Sequence, residues 1–565
     1  MTGESAAPAD RAGRLTSRIP RGLLPLALWA LLFWLIAWPL LLVAAESIRG
    51  PAGLTFGYFE RLFLEPREWQ ALWASLWTSV ASVVLAAVLG IPLAFLFERT
   101  EFPGRRIIGA LVALPAVLPP LVGVIAFLFL YGETGFVARL VQAVLGLENP
   151  PWRLEGAYAI LLVHAYSMYV YFYLLTRAGL ATLDHAAIEA AQSLGAGRWR
   201  TLTRVTLPLL APSLRGAALL TFMTALASFS APYLFGGGFR VMTTQIVFTR
   251  LNGDYGLAMA QTVMLSLLAL TGLALAREGV QTVARAGGKG IAPAPSLIAS
   301  PGWRLAATAG GWALGLLLLL PHLTLLLLSF VPVGTWTIET IPPAYTWRNY
   351  LTLFAEPERL RPLVNSLWMA ALATVAAVGV SLLAGQMVIQ RARGSASIEG
   401  LLALPWLVPG TVFAVALATA FNVHAPWAGR IVLVGTLWIL PLAYLIRNLP
   451  IASRAILAGF RGLDPALAEA SAGLGSGPWR TFRRVTLPLL RPALAAGATL
   501  AFVTALGDFV TSIILYTYDT RPLSLEILSS LRQGDIGVAA AYGVLLMLLS
   551  GLVFALGSEK KVVTR

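Results

Sequence analysis

The stretch GRWRTLTRVTLPLLAP at 197–212 returns 280 residues later as GPWRTFRRVTLPLLRP at 477–492. Both copies are too polar and too rich in proline to lie in lipid, yet both sit among long apolar runs. Aligned without gaps from Leu183 and Leu463, the two segments agree at 20 of 32 positions, through Leu214 and Leu494. A part of this molecule is used twice.

Working outward, the chain is 565 residues long, 58% hydrophobic and only 12% charged, against about 25% charged in ordinary soluble domains. Apolar stretches of about twenty residues, long enough to cross ~30 Å of hydrocarbon, recur twelve times. They fall near 23–45, 71–97, 107–131, 157–176, 216–235 and 256–276, and near 305–330, 364–390, 400–421, 431–446, 495–516 and 537–556. This is the pattern of an all-α polytopic membrane protein, with about 12 transmembrane helices. There are no cysteines, which excludes disulfides, thiolate metal sites and cysteine nucleophiles.

The net charge of +15 could suggest nucleic acid, but its distribution says otherwise. With the N-terminus and its Arg11, Arg14, Arg18 and Arg21 placed inside, cytoplasmic segments hold 28 of the 41 basic residues. Acidic residues divide 11 inside and 14 outside, with Asp508 left within a span. The basic excess is a positive-inside signal, and both termini are expected in the cytoplasm. The partner it indicates is membrane lipid, not nucleic acid.

Residues 277–303, rich in Gly, Ala, Ser and Pro, read as a cytoplasmic linker. It divides the chain into a first transmembrane domain (1–276, loop 183–214) and a second (304–565, loop 463–494). Six spans on each side make a parallel repeat, both halves inserted the same way up. ALPAVLPP at 113–120 answers ALPWLVPG at 403–410, FMTALASF at 222–229 answers FVTALGDF at 502–509, and GDYGLAMA at 253–260 answers GDIGVAAA at 534–541.

Each repeated loop reads as helix, break, helix. Asp184 and Asp464 stand at N-cap positions, with Pro465 at the first helical position, where its missing N–H costs nothing. Short Ala-rich helices follow, closed by Gly195 and Gly475 as left-handed C′ residues. A second amphipathic helix starts near Trp199 and Trp479, with Arg200, Arg204, Arg480 and Arg484 toward water or headgroups. Pro208 and Pro488 are expected to break it before the next span. A bland reading, a membrane-surface elbow with snorkelling arginines, does not require the same sequence twice.

The pattern E-A-A, three residues, G, then about a dozen residues and L-P resembles the cytoplasmic loop of binding-protein-dependent ABC importer permeases. It stands here as Glu189, Ala190, Ala191, Gly195, Leu207 and Pro208, and again as Glu469, Ala470, Ser471, Gly475, Leu487 and Pro488. Ser471 departs from the pattern but keeps a small residue. The whole chain is similar to fused two-half permeases of iron(III) and thiamine importers. The resemblance implies the type I importer permease fold as two parallel six-helix repeats in a bacterial inner membrane. It implies two copies of an ATP-binding cassette subunit, and an extracytoplasmic solute-binding protein. It also implies that the E-A-A helices, with Glu189, Ala190, Ala191, Gly195, Glu469, Ala470, Ser471 and Gly475, couple transport to that ATPase.

No phosphate loop is present: AGGKG at 286–290 lacks the spacing needed to wrap phosphates, and LAGQ at 383–386 lies in an apolar span. The chain is therefore expected to be a transport subunit without cofactor or catalytic residues, ATP hydrolysis falling to a separate chain. His164, His185, His322 and His424 have no ligand-like spacing, and no metal site is expected. His164 falls within a span, where a hydrogen bond to a neighbouring helix suits it. Asp508, the one carboxylate within a span, faces the bundle interior either as a pathway residue or as a helix-packing one; its repeat partner is Ser228. Pro115, Pro119, Pro405 and Pro409 are expected to shape or kink the third span of each half rather than to contact substrate.

The competing function is a six-plus-six secondary transporter, since ERTEFPGRR at 98–106 resembles the loop after span two of major-facilitator carriers. Its counterpart at 390–400 keeps little of that pattern. A membrane enzyme would need a catalytic constellation that the sequence lacks. Cargo is indicated only by resemblance, iron(III) first and thiamine second.

Overall fold

The computed structural model describes residues 23–116, 119–285, 296–297, 300–336, 339–390, 394–426 and 429–557. The amino-terminal arginines and the AGGKG stretch lie outside the described residues. Among the described residues nine helices are long and apolar enough to cross a membrane, or up to eleven when each of two sharply bent pairs is one span. Two six-element repeats run in the same order, and the chain is an all-α polytopic membrane protein.

The first half runs through Leu23–Glu46 and Pro66–Arg99, a broken third element, then Gly156–Ala181, Arg198–Leu226 and a sixth helix starting at Tyr255. In the second, Pro301–Leu328 and Pro357–Ile389 precede Ser395–Leu407 and Gly410–Ala420, which are bent by 110°. Ile439–Arg461 comes next, then Pro478–Leu489 and Arg491–Leu506, bent by 67°, and finally Ile536–Gly557.

Several sequence expectations need correction. The stretches 107–131 and 400–421 are not straight spans. The first splits into Arg105–Val112, a 3-10 turn Leu114–Ala116 and Pro120–Tyr131. Its prolines withhold backbone donors in quick succession. The stretches 216–235 and 495–516 also divide, because their helices end at Leu226 and Leu506 and short ones restart at Ser230–Phe235 and Val510–Leu515. In place of the span expected at 431–446 the structure has the helix Ile439–Arg461, so Arg447 belongs inside a helix and not to a loop. That helix carries three arginines and is not among those apolar enough to cross a membrane by composition.

Pro208 and Pro488 do not break their helices. A single π turn, Leu202–Thr206 or Phe482–Thr486, precedes each proline. This wider turn moves the ring away from the carbonyl it would strike in a regular α-helix. The second half bends instead at Leu490, just ahead of Pro492. The sixth helix of the first half continues to Arg285, into the segment read as linker, and Ser296–Leu297 pairs in parallel with Thr100–Glu101.

Packing is close where glycine permits it. A Cβ at Gly90 would lie 2.4 Å from the Tyr169 carbonyl oxygen, so the second and fourth elements of the first half meet backbone to backbone. The halves also embrace each other. The helix Trp38–Glu46 packs on Gly410–Ala420, and Pro301–Leu328 packs on Arg105–Val112 and Pro120–Tyr131. Trp34 meets Phe421 edge to face at 5.5 Å, and the Tyr166 hydroxyl donates to the Leu318 carbonyl at 2.7 Å. The first element of each half thus braces the broken third element of the other.

Candidate functional site

The two repeated loops form nearly the same object. Asp184 caps His185–Ser193 by accepting from the Ala186 N–H at 3.0 Å, and Asp464 caps Pro465–Gly473 by accepting from Ala466 at 2.9 Å. Gly195 and Gly475 follow with φ of 80° and 78°. The next N–H groups, of Ala196 and Ser476, reach back to the carbonyls of Ala191 and Ser471 at 3.0 and 3.1 Å. That double closure satisfies the last carbonyls of each short helix. Ser471, the departure from the motif, exchanges a 2.9 Å hydrogen bond with Thr481 and ties the loop's two helices together.

Glu189, Ala190, Glu469 and Ala470 lie exposed on the short helices, while Ala191 and Ser471 are half-buried against the second helix. The tips carry a signal that the sequence reading passed over. Leu194 and Leu474 are 88% and 87% exposed, beside the exposed Trp199 and Trp479. Each loop, otherwise polar, thus leaves a leucine and a tryptophan uncovered side by side.

Each loop continues into a helix that climbs to the centre of the bundle. Arg198–Leu226, 29 residues long, spans about 43 Å at 1.5 Å per residue. Where it stops, Phe229 meets its repeat partner Phe509 at 5.8 Å between ring centroids, so the two breaks lie against each other between the halves. Pro119 packs on Gly507, where a Cβ would approach to 2.7 Å. Thr243 and Ser524 donate to the carbonyls of Ser228 and Asp508 at 2.7 and 2.8 Å, holding both breaks to the helices that follow.

The same positions carry different chemistry in the two halves. His164 bridges Ser82 at 2.8 Å and Ser228 at 2.9 Å, bonding neighbouring elements as its place in a span suggests. Its repeat partner Tyr444 exchanges a 2.6 Å bond with Ser512. Asp508 accepts from the Thr511 and Ser512 N–H groups at 2.9 and 3.2 Å and from the Thr511 hydroxyl at 3.0 Å. It starts the short helix after the break. The guanidinium of Arg447 lies 3.9 Å from Asp508 and over Gly410, where a Cβ would come within 2.9 Å of Cζ. Thr411 Oγ1 and Asn448 Oδ1, adjacent in sequence to Gly410 and Arg447, are buried without a hydrogen-bond partner among the described residues. Arg447 could have been found by carrying the 280-residue repeat offset from the loop into the preceding span.

Two repeats, each sending one capped and apolar-tipped loop helix to the same end and a broken helix to a shared centre, define a polytopic permease. The family described as binding-protein-dependent transport system inner membrane component matches residues 86–277 and again 377–558, and the chain belongs to it. A probable ABC transporter permease protein of Sinorhizobium fredii is 30% identical over 94% of both chains. A ferric transport system permease protein of Actinobacillus pleuropneumoniae is 29% identical, over 81% of this chain and 66% of that one. A thiamine transport system permease protein of Escherichia coli is 27% identical, over 82% and 84%. A chain from the crystal structure of a bacterial alginate ABC transporter matches 46% of this chain and 94% of its own, at 22% identity and a TM-score of 0.37. The protein is a multi-pass permease subunit of the ABC importer class, and nothing in these similarities supports a major-facilitator carrier.

Proposed function

We propose that this chain supplies both transmembrane domains, 1–276 and 304–565, of a bacterial inner-membrane importer. A solute-binding protein delivers the cargo at the end opposite the loops, and two ATP-binding cassette subunits dock on the loops. Both termini lie on the loop side, in the cytoplasm, and ATP is hydrolysed on the docked subunits. Glu189, Ala190, Ala191 and Gly195, with Glu469, Ala470, Ser471 and Gly475, form the coupling surfaces. Iron(III) is the first cargo to test and thiamine the second, because relatives over most of the chain are ferric and thiamine permeases.

The observation that carries this reading is the pair of matching loops with Leu194 and Leu474 uncovered at their tips. When the ATPase subunits close, the loops move with them. The helices that leave the loops transmit the displacement to the breaks at Phe229 and Phe509. Asp508 and Ser228 then sit on the moving border of the pathway.

The direct test replaces Leu194 and Leu474 with Asp in one chain. A charge placed in an apolar docking pocket costs a few kcal/mol, so co-purification of the ATPase subunit should fall at least tenfold while the permease inserts normally. Undiminished co-purification would remove the loops from the interface.

A further inference from the structure

At the loop end of the first half, outside the coupling loops, lies a cavity of about 250 Å³ with Arg105, Arg106 and Arg177 around it and Phe97, Gly109 and Ala113 in its wall. It adjoins a hollow of about 380 Å³ that shares Arg105 and Arg106 and is bordered by Phe102, Ile107 and the carboxylate residue Glu101. The arginines are unequally engaged. Arg177 donates to Glu98 at 3.0 Å and to the Tyr173 hydroxyl at 3.0 Å. Arg105 donates to the Thr100 carbonyl at 3.2 Å. Arg106 is exposed and makes no hydrogen bond or ion pair with another described residue. Two guanidinium groups therefore have donors to spare at one opening.

The cavity is firmly built. The helix Arg105–Val112 is clamped by Tyr169, which donates to the Val112 carbonyl at 2.6 Å, and by Tyr173, which donates to the Gly109 carbonyl at 3.1 Å. Gly109 keeps the wall open, since a Cβ there would stand 3.2 Å from the Tyr173 hydroxyl and 3.8 Å from Arg177 Nη1. Ile107, on the same helix, is 60% exposed. The cavity thus offers cations beside an apolar outer surface, at the level where the spans Pro66–Arg99 and Gly156–Ala181 end. The second half does not repeat it. Aligned on Gly104 and Gly394, both with φ of 82°, Ser395, Ala396 and Glu399 replace Arg105, Arg106 and Gly109. Glu399 is itself paired with Arg461 at 2.8 Å.

We propose that this cavity holds the phosphate of an anionic phospholipid, gripped by Arg105 and Arg106, with an acyl chain running along Ile107. Guanidinium forks suit phosphate oxygens, and a lipid answers the apolar flank that a free phosphate would leave bare. The side of the membrane, the cytoplasmic leaflet, rests on the orientation proposed above. Because Thr100–Glu101 carries the strand pair to Ser296–Leu297, the lipid would sit beside the segment joining the halves.

The test uses the full chain purified from vesicles of phosphatidylglycerol and phosphatidylcholine, with retained lipid read by native mass spectrometry. The wild type should keep one phosphatidylglycerol, and R105S/R106A, carrying the second half's own residues, should lose it at least tenfold. G109L, which plugs the cavity and spares every arginine, should lose it too. The charge-matched R483A/R484A should keep it. Equal retention in R105S/R106A and R483A/R484A would overturn the proposal, as would full retention in G109L. Displacement of the lipid by millimolar inorganic phosphate would overturn the lipid in favour of a free-phosphate site. Lipid retention in detergent does not depend on orientation, so a wrong sidedness would show separately, in thiol labelling.

Discussion

Arg447 and Asp508 stand where the first half carries Ser167 and Ser228. Arg447 lies eight residues into Ile439–Arg461, about 12 Å along the axis, where His164 and Tyr444 also mark the interior. An unpaired charge at that depth is costly, and the 3.9 Å approach to Asp508 offsets that cost without saturating the guanidinium. Asp508 keeps its backbone partners whatever Arg447 does, because it starts the helix Val510–Leu515. Removing one charge strands the other. D508N and R447Q should each destabilise the purified protein, by about 1–3 kcal/mol, below the 3–5 kcal/mol of a fully buried pair since Arg447 is 26% exposed. The double variant D508N/R447Q should recover most of that loss, as a thermal-unfolding cycle in detergent will show. If Arg447 also lines the pathway, the recovered double variant will stay deficient in uptake. Additive losses would mean that the two side chains do not interact.

At the scale of elements, local chemistry was legible in the sequence and chain direction was not. The caps Asp184 and Asp464 and the glycines 195 and 475 were readable because a cap is decided within a few residues. The kinks in the third elements were signalled by Pro115, Pro119, Pro405 and Pro409, whereas the breaks in the fifth were hidden because a hydropathy window counts apolar residues and does not register that the backbone has turned. FMTALASF and FVTALGDF were visible as a repeat, yet that Phe229 and Phe509 meet is a long-range fact. Arg447 was misplaced for the same reason: the polar residues near its span were read as a loop. The short loop helices allow a sharp test, because among the described residues no heavy atom beyond the chain neighbours lies within 4 Å of a Cβ built at Gly195 or Gly475. Substitution there strains only the left-handed backbone, at about 1–2 kcal/mol. G195V or G475V should re-aim the short helix and sharply reduce ATPase association. G195N and G475N should retain it, since Asn tolerates this conformation. Measured by co-purification at matched membrane levels, equal behaviour of the Val and Asn variants would show that the C′ geometry does not matter.

For the molecule as a whole, duplication explains both the symmetry and its limits. The repeat places one loop per half at one end, while the interlocked first elements, with Trp34 on Phe421 and Tyr166 on Leu318, make each half depend on the other. Positive charge was legible at this scale because insertion responds to loop composition, not to packing. Moving Arg447, Arg454 and Arg461 from loop to helix lowers the cytoplasmic count by three, to 25 against 13 outside, and leaves the excess in place. The expected orientation therefore survives that correction, and it puts Ser300 and the repeated loops in the cytoplasm and Glu148 outside. Both positions are exposed, and the chain has no cysteine of its own, so a single introduced thiol reports without background. In intact cells, S300C should resist a membrane-impermeant maleimide and react once the cells are lysed, whereas E148C should react at once. A permeant reagent should label both, which separates sidedness from burial. Ready labelling of S300C in intact cells, with E148C protected until lysis, would invert the topology and move the loops away from any cytoplasmic ATPase.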